Sequence, residues 1–381
     1  MIETLTIDTH LDTPTTSLQQ AGWDFSARHA WSDDGSQCDL PRMREGGLDA
    51  AVFAVYVMQG IRSPAGFAAA RDLALGHLDR TTAELQRLPA ECALVRTVDE
   101  ALQAKATQRR ALFLSIENAY SLGVDAGMVG EFHRRGVRMV GLTHMLNNDV
   151  ADSSTDPRGP EWGGLSGFGR EVVAECNRLG MVVDASHASD ATLRDLLTLS
   201  RTPVILSHSD CSACCPHPRN VDDGLLRELA AQGGVIQINA LPVSLVEAPG
   251  NRRTAAFAEL LVRFGTAPLT PDVLAAADEA YGTVSRAHPN PRATLDDFVR
   301  HLEHAVTVAG IDHVGIGCDF DGGGGVEGLR DVADFPHLTR VLRERGWTEP
   351  DLARIWGGNT QRILSAAEAF AGRPVLPGST S

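Results

Sequence analysis

The chain has 381 residues, 43% of them hydrophobic, which is enough to bury the core of one α/β barrel or two ordinary domains and excludes overall disorder. Its 34 Lys and Arg against 49 Asp and Glu leave a net charge of -15, which repels a nucleic-acid backbone or an anionic membrane surface, so neither is an expected partner. The seven cysteines form no disulfide framework, no run reaches the roughly twenty apolar residues of a membrane span, and the start lacks a signal-peptide pattern, so a cytoplasmic protein with reduced thiols is expected.

In chain order, eight short runs rich in Val, Ile, Leu, Ala or Met read as strands covered on both faces, because they do not alternate with polar residues. They are LTIDTHLD (5–12), GLDAAVFAVYVM (47–58), ALFLSIE (111–117), VRMVGLTH (137–144), MVVDASH (181–187), PVILSHS (203–209), GVIQINA (234–240) and HVGIGCDFD (313–321). Stretches of helical periodicity lie between most of them, among them 67–88, 167–180 and 222–234. Several end in glycine just before the next strand, at Gly136, Gly180, Gly233 with Gly234, and Gly310, as a left-handed C-cap requires.

Eight such units close most economically into an α/β fold of the (β/α)8 TIM-barrel type, with a doubly wound sheet as the alternative. No GxGxxG opens a helix after the first strand, which counts against that alternative. The segment from about Pro242 to Asp297 is too long for a simple crossover and predicts extra helices between strands 7 and 8, over the barrel mouth. One domain over residues 1–370 is expected, with 371–381 a flexible C-terminal tail.

The polar residues fall at one end of these runs. His10 and Asp12 lie two apart, on one face if the run is a strand, and Glu117, His144, His187, His208 and Asp319 each close another apolar run. In a barrel those ends converge on the face that carries active sites, and six of eight strands repeat the pattern. The mixture of imidazole and carboxylate suits zinc or another borderline divalent ion. His10 and Asp12 can serve one ion, His187 and His208 a second, and Glu117 can bridge them, an arrangement whose natural chemistry is hydrolysis.

The ordered series HLD, Glu117, THMLNN, DASH, SHSD, HPRNVDD and GCDFDG, running on to the GGN at 357–359, resembles the membrane (renal) dipeptidase family of zinc peptidases in the amidohydrolase superfamily. The resemblance implies two Zn2+ ions per subunit, held by His10, Asp12, Glu117, His187 and His208, and hydrolysis of dipeptides, L,D-dipeptides among them, by a hydroxide that bridges the ions. It implies that His144 contacts the scissile carbonyl oxygen, and that Arg219, with Asn220 beside it, binds substrate by pairing with the terminal carboxylate. It also implies that Asp319 carries the proton from the attacking water to the leaving amine. A small dipeptide is then the expected partner, and a homodimer is compatible with this reading. A metal ligand so near Met1 leaves little room for a prodomain, and the mature enzyme is expected to begin close to that residue.

Asn118, Ala119 and Tyr120 follow Glu117 where relatives often carry glycine and small residues, and Cys318 precedes Asp319 where glycine is common. These departures imply different side chains beside the metals, and they motivate an alternative: the same machinery acting on another amide, lactam or biosynthetic conjugate. A non-catalytic metal-binding protein is the remaining alternative. Cys211, Cys214 and Cys215 lack the second pair of a zinc knuckle and read as packing residues. Asp184 and Asp210 read equally as helix caps or as partners of the neighbouring histidines, His217 as a structural neighbour of the site, and Asn147 to Asp152 as a solvated loop with Asn148 or Asp149 near a substrate amine. Trp23, Trp31 and Trp162 read as packing residues on loops of the same face.

Overall fold

The computed structural model describes residues 4–247 and 252–371, so nearly all of the expected C-terminal tail lies outside the described residues. Nine strands follow in the chain: β1 (Ile7–Leu11), β2 (Ala50–Tyr56), β3 (Cys92–Leu94), β4 (Arg110–Glu117), β5 (Val137–Gly141), β6 (Val182–Asp184), β7 (Ile205–Ser209), β8 (Val235–Ile238) and β9 (Val314–Ile316). All pair in parallel, in the order β1-β2-β4-β5-β6-β7-β8-β9, with β3 beside β4. The two ends of this order meet: Leu11 and Phe320 form a parallel bridge, Asp12 N donates to Phe320 O at 2.9 Å, and Asp319 N donates to His10 O at 3.1 Å. The result is a nearly closed (β/α)8 barrel.

The sequence reading does not find β3. It pairs with Arg110–Leu112, the part of β4 that precedes its pairing with β5, and so depends on an edge that only the assembled sheet provides. The other strands are buried on both faces, and most are built largely from apolar residues; β2 reads AAVFAVY and is buried along nearly its whole length. Ile7, Val52, Phe113, Met139, Val182, Ile205 and Val235 cluster with Ile363 and Leu364 of the helix Asn359–Ala371. Burying each such side chain contributes roughly 2 kcal/mol, which fixes one end of the barrel as solid core.

At that end the last helix is tied to β9, since Asn359 Nδ2 donates to the carbonyls of Ile311 and Val314, both at 2.8 Å. Polar chemistry is thereby left to the opposite, C-terminal ends of the strands. Helices reach them with ordinary caps, such as Ser189 accepting from Thr192 N and the Thr294 capping box. Between β8 and β9 stand the helices Arg252–Phe264 and Pro271–Ala287. The turn joining them leans on the loop after β2, where Ala267 O accepts from Ile61 N at 2.9 Å.

Candidate active site

Each polar strand end points its side chain into one buried cluster. His10 lies in β1 with Asp12 just beyond, Glu117 closes β4, His208 lies in β7, and His144, His187 and Asp319 stand three residues past β5, β6 and β9. The pairing register shifts between Asp8 and Leu11 and between Leu206 and Ser209, so the ladder is irregular at His10 and at His208. Such irregularities re-aim a side chain that strict alternation would send elsewhere. Five non-glycine residues among those described have positive φ, and four of them, Asn118, His187, Asp319 and Asp321, sit at this mouth. Backbone strain is concentrated where the cluster is built.

Glu117 is central. Its Oε2 lies 3.5 Å from His10 Nε2, and its Oε1 lies 3.1 Å from His187 Nε2, 3.5 Å from His208 Nε2 and 4.0 Å from His144 Nε2. His10 Nε2 is also 3.3 Å from Asp12 Oδ2 and 3.9 Å from Asp319 Oδ1. Three overlapping groups could each hold a metal ion: His10, Glu117 and His208; Glu117, His144 and His187; and His10, Asp12 and Asp319.

A cation fits this set on two observations. His10 Nε2 is buried with no hydrogen-bond partner, and His187 Nε2 faces His208 Nε2 at 3.0 Å. Ser207 explains why the second contact cannot be an ordinary hydrogen-bonded pair donated by His208. The single Ser207 hydroxyl proton goes to Asp184 Oδ2 at 2.6 Å, so its oxygen must accept from His208 Nδ1 at 2.9 Å. That fixes the His208 tautomer with its Nε2 lone pair aimed into the cluster, as a metal ligand requires.

Burial sets the electrostatics. It holds the imidazoles of His187 and His208 well below the usual range, helped by nearby cationic groups, and it brings His144 down to about 3. On His10 burial also opposes the charge, but Glu117 and Asp12 outweigh it and hold the imidazole well above the ordinary value. Burial, with Asp12 next, pushes Asp319 well above the carboxylate range. Arg219 is buried against the cluster with Nη2 donating to His208 O at 3.1 Å, and among the described residues no carboxylate lies within ion-pair distance of it. Its fork is therefore available to an incoming carboxylate.

A profile of the membrane dipeptidase family (peptidase family M19) matches residues 1–375. The chain belongs to the membrane dipeptidase family. It is 32% identical over 342 residues to the dipeptidase aclJ of Aspergillus oryzae, covering 88% of this chain and 71% of that protein. An uncharacterised dipeptidase of Schizosaccharomyces pombe is 29% identical, covering 96% of this chain and 81% of that one. Among solved structures, the probable dipeptidase PvdM from Pseudomonas aeruginosa superposes with a TM-score of 0.82 at 27% identity, covering 97% of this chain and 96% of that one. As a member of the family the protein is a hydrolase acting on peptide bonds. No helix among its described residues is long and apolar enough to cross a membrane.

The geometry corrects several expectations. Asn118 and Tyr120 do not present new side chains to the pocket. Asn118 is fully buried, donates to Val57 O at 3.0 Å and accepts from Asn148 Nδ2 at 3.0 Å, while the Tyr120 hydroxyl donates to Ile61 O at 2.8 Å. Both brace the backbone after Glu117. Asn148 is likewise consumed by Asn118 and Leu142 O, and Asp149 pairs with Arg62 at 2.9 Å, so neither is placed for a substrate amine. The loop after His144 is a self-bonded scaffold rather than a solvated one: Asp152 accepts from the backbone of Glu161, Trp162 and Gly164, and Ser153 Oγ donates to His144 O at 2.5 Å.

Asp184 caps no helix; it anchors Ser207. Asp210 also caps none, and accepts from Ser244 Oγ at 2.6 Å. Asn220 spends its amide protons on the carbonyls of Cys215 and Ser244, leaving its Oδ1 buried without a partner. His217 Nδ1 accepts from Arg219 N at 3.2 Å, bracing the backbone at the residue that carries the guanidinium. Cys211, Cys214 and Cys215 are free thiols that point to three different carbonyls.

Three contributors escape the sequence reading. Ser207 gave a signal only in preceding His208. Tyr56, paired in register with Glu117, lays its ring 4.5 Å from that of His144. Gly322 lies so close to the cluster that a Cβ there would meet Asp12 Oδ2 at 2.1 Å and Asp319 Oδ1 at 2.3 Å.

Proposed function

We propose that the cluster is a binuclear metal centre, with zinc the ion best suited to its donors, and that it serves a dipeptidase cleaving the single peptide bond of dipeptides, L,D-dipeptides among them. Glu117 carries the reading. Its two oxygens face different imidazoles, His10 on one side and His187 with His208 on the other, as a bridging carboxylate requires. In this assignment His10 and Asp12 hold one ion, His187 and His208 the other, and Glu117 both.

Two such ions, when bound, supply Lewis acidity and lower the pKa of a water in the site. The remaining work belongs to the chain. Asp319, packed against His10 and Asp12 and ionised once bound cations offset the burial and repulsion that keep it protonated in the metal-free chain, takes the proton of the attacking water and delivers it to the leaving amine. His144, at the rim and kept neutral by burial, donates its N–H to the scissile carbonyl oxygen, so its help is a directed hydrogen bond rather than a full charge. Arg219 receives the terminal carboxylate on its planar fork. Asn220, its donors already committed, offers only Oδ1 to a substrate donor.

The test combines zinc content per chain with hydrolysis of a dipeptide panel that includes members with a D-residue second. The expected result is two ions per chain, turnover of panel members, and a loss of one ion with about a hundredfold or more of kcat in Glu117→Gln. Full activity with one ion per chain overturns the binuclear assignment, and no turnover across the panel by the zinc-loaded protein overturns the role given to the cluster.

A further inference from the structure

Beside the cluster, on the β9 side, lies a cavity of about 890 Å3. Gly323, Gly324 and Gly325, in the turn after Asp319, form part of its wall. Gly322, immediately before them, is the residue that touches the Asp12 and Asp319 carboxylates. The same glycine turn therefore borders both the cavity and the catalytic cluster. Trp31 and Arg330 contribute to the cavity lining, as does Arg292 beyond the inserted helices. The volume falls in the range of pockets that take a whole drug-sized ligand, about 300–1,000 Å3, and exceeds the needs of a simple aliphatic side chain.

Its charge is uneven. Arg330 holds its guanidinium 4.8 Å over the ring of Trp31, a residue 48% exposed, and among the described residues it forms no ion pair. The neighbouring carboxylates are committed elsewhere. Glu327 is held by Arg292 at 2.6 Å, and Asp331 by Arg42 at 3.0 Å. Asp321 accepts from Thr13 Oγ1 at 2.6 Å and Gln37 N at 2.7 Å, and Asp334 from the backbone N of Arg330 at 2.7 Å. In a protein of net charge -15, a guanidinium set over an indole and without an ion-pair partner among the described residues is placed to receive an anion.

Position decides which end of a dipeptide reaches it. Arg219 stands on the loop after β7, whereas Asp12, Asp319 and the cavity belong largely to the loops after β1 and β9. A dipeptide with its terminal carboxylate on Arg219 therefore runs its amino-terminal residue toward the glycine turn. We propose that the cavity is a subsite for a long, anionic side chain on the amino-terminal residue of the substrate, with the negative group held by Arg330 on Trp31. This rests on the dipeptidase reading above.

The zinc-loaded enzyme is assayed with Nε-succinyl-lysyl-glycine and Nε-butyryl-lysyl-glycine, nearly equal in length and different in terminal charge, and with alanyl-glycine. The expected kcat/KM ratio of succinyl to butyryl substrate is about tenfold, as one charge-assisted contact would give. It falls toward one in Arg330→Gln, is largely kept in Arg330→Lys, and is reduced in Trp31→Ala, which removes the platform. A wild-type ratio near one, or a ratio that survives in folded Arg330→Gln and Trp31→Ala, overturns the subsite while alanyl-glycine turnover leaves the dipeptidase reading standing. Failure to cleave any of the three overturns both.

Discussion

Ser207 shows how much a site depends on a residue that carries no chemistry of its own. Its hydroxyl joins Asp184 to His208 and stands 3.5 Å from His10 Nδ1, so one oxygen orients imidazoles on two different strands. In Ser207→Ala the His208 ring loses the acceptor that fixes its tautomer. The expected consequence is a 10- to 100-fold rise in the free zinc needed for half-maximal activity, with kcat at saturating zinc changed much less. Titration against a zinc-buffered chelator reads it, and an unchanged zinc requirement would remove the orienting role. Such a residue is hard to see in a sequence. The proposed ligands were legible because each ends an apolar run with a residue that a buried strand rarely carries. Serine before histidine is unremarkable until the fold brings Asp184 across to it, and the same holds for Tyr56 beside His144 and for Gly322 beneath two carboxylates.

At the scale of elements, the crossover helix Leu295–Ala309 carries a titratable contact that should show in stability. His301 on this helix is fully buried, accepts from Cys211 N on its Nδ1 at 3.1 Å, and faces Leu245 O with Nε2 at 3.1 Å. A ring that accepts on one nitrogen and donates on the other must be neutral. Burial brings its pKa down to about 4, with Asp210 3.8 Å from Nδ1 and Arg300 and His304 on the same helix. Because the folded value lies below the unfolded 6.5, the unfolded chain binds the extra proton between those limits. Stability is intact above about pH 6.5 and declines as pH falls toward 4, by roughly 3 kcal/mol in total. Glutamine can keep both hydrogen bonds without titrating, so the Tm of zinc-loaded His301→Gln should fall less steeply than wild type between pH 6.5 and 4.5, and parallel curves would refute the assignment. Element by element, eight strands were legible as apolar runs. The three-residue β3 was not, because its existence depends on a free stretch of β4 edge that only the assembled sheet provides.

For the whole molecule, the arrangement implies that metal is part of the fold as well as of the chemistry. Asp12, Glu117 and Asp319 converge on one buried point in a protein already at net charge -15, and the imidazole pair His187 and His208 present nitrogens to each other at 3.0 Å. Without cations these groups find relief only by taking up protons or by local opening, and both weaken the native state relative to an unfolded chain in which the same groups are solvated. An ion that binds only the folded chain at a thousandfold over its Kd adds about 4 kcal/mol. Spread over the unfolding entropy of 381 residues, that is about 5 °C in Tm per ion. Chelation followed by removal of the chelator should therefore lower Tm by about 10 °C if both ions leave. Stepwise return of zinc should restore Tm and dipeptide turnover, with activity recovering fully only when the second equivalent binds. A bulk screening effect would instead let high concentrations of monovalent salt raise the Tm of the metal-free protein to the same value. The zinc-specific recovery is expected because the cluster is buried and its donors are fixed by Ser207, Asp184 and the positive-φ backbone of His187 and Asp319, none of which a diffuse ionic atmosphere can engage.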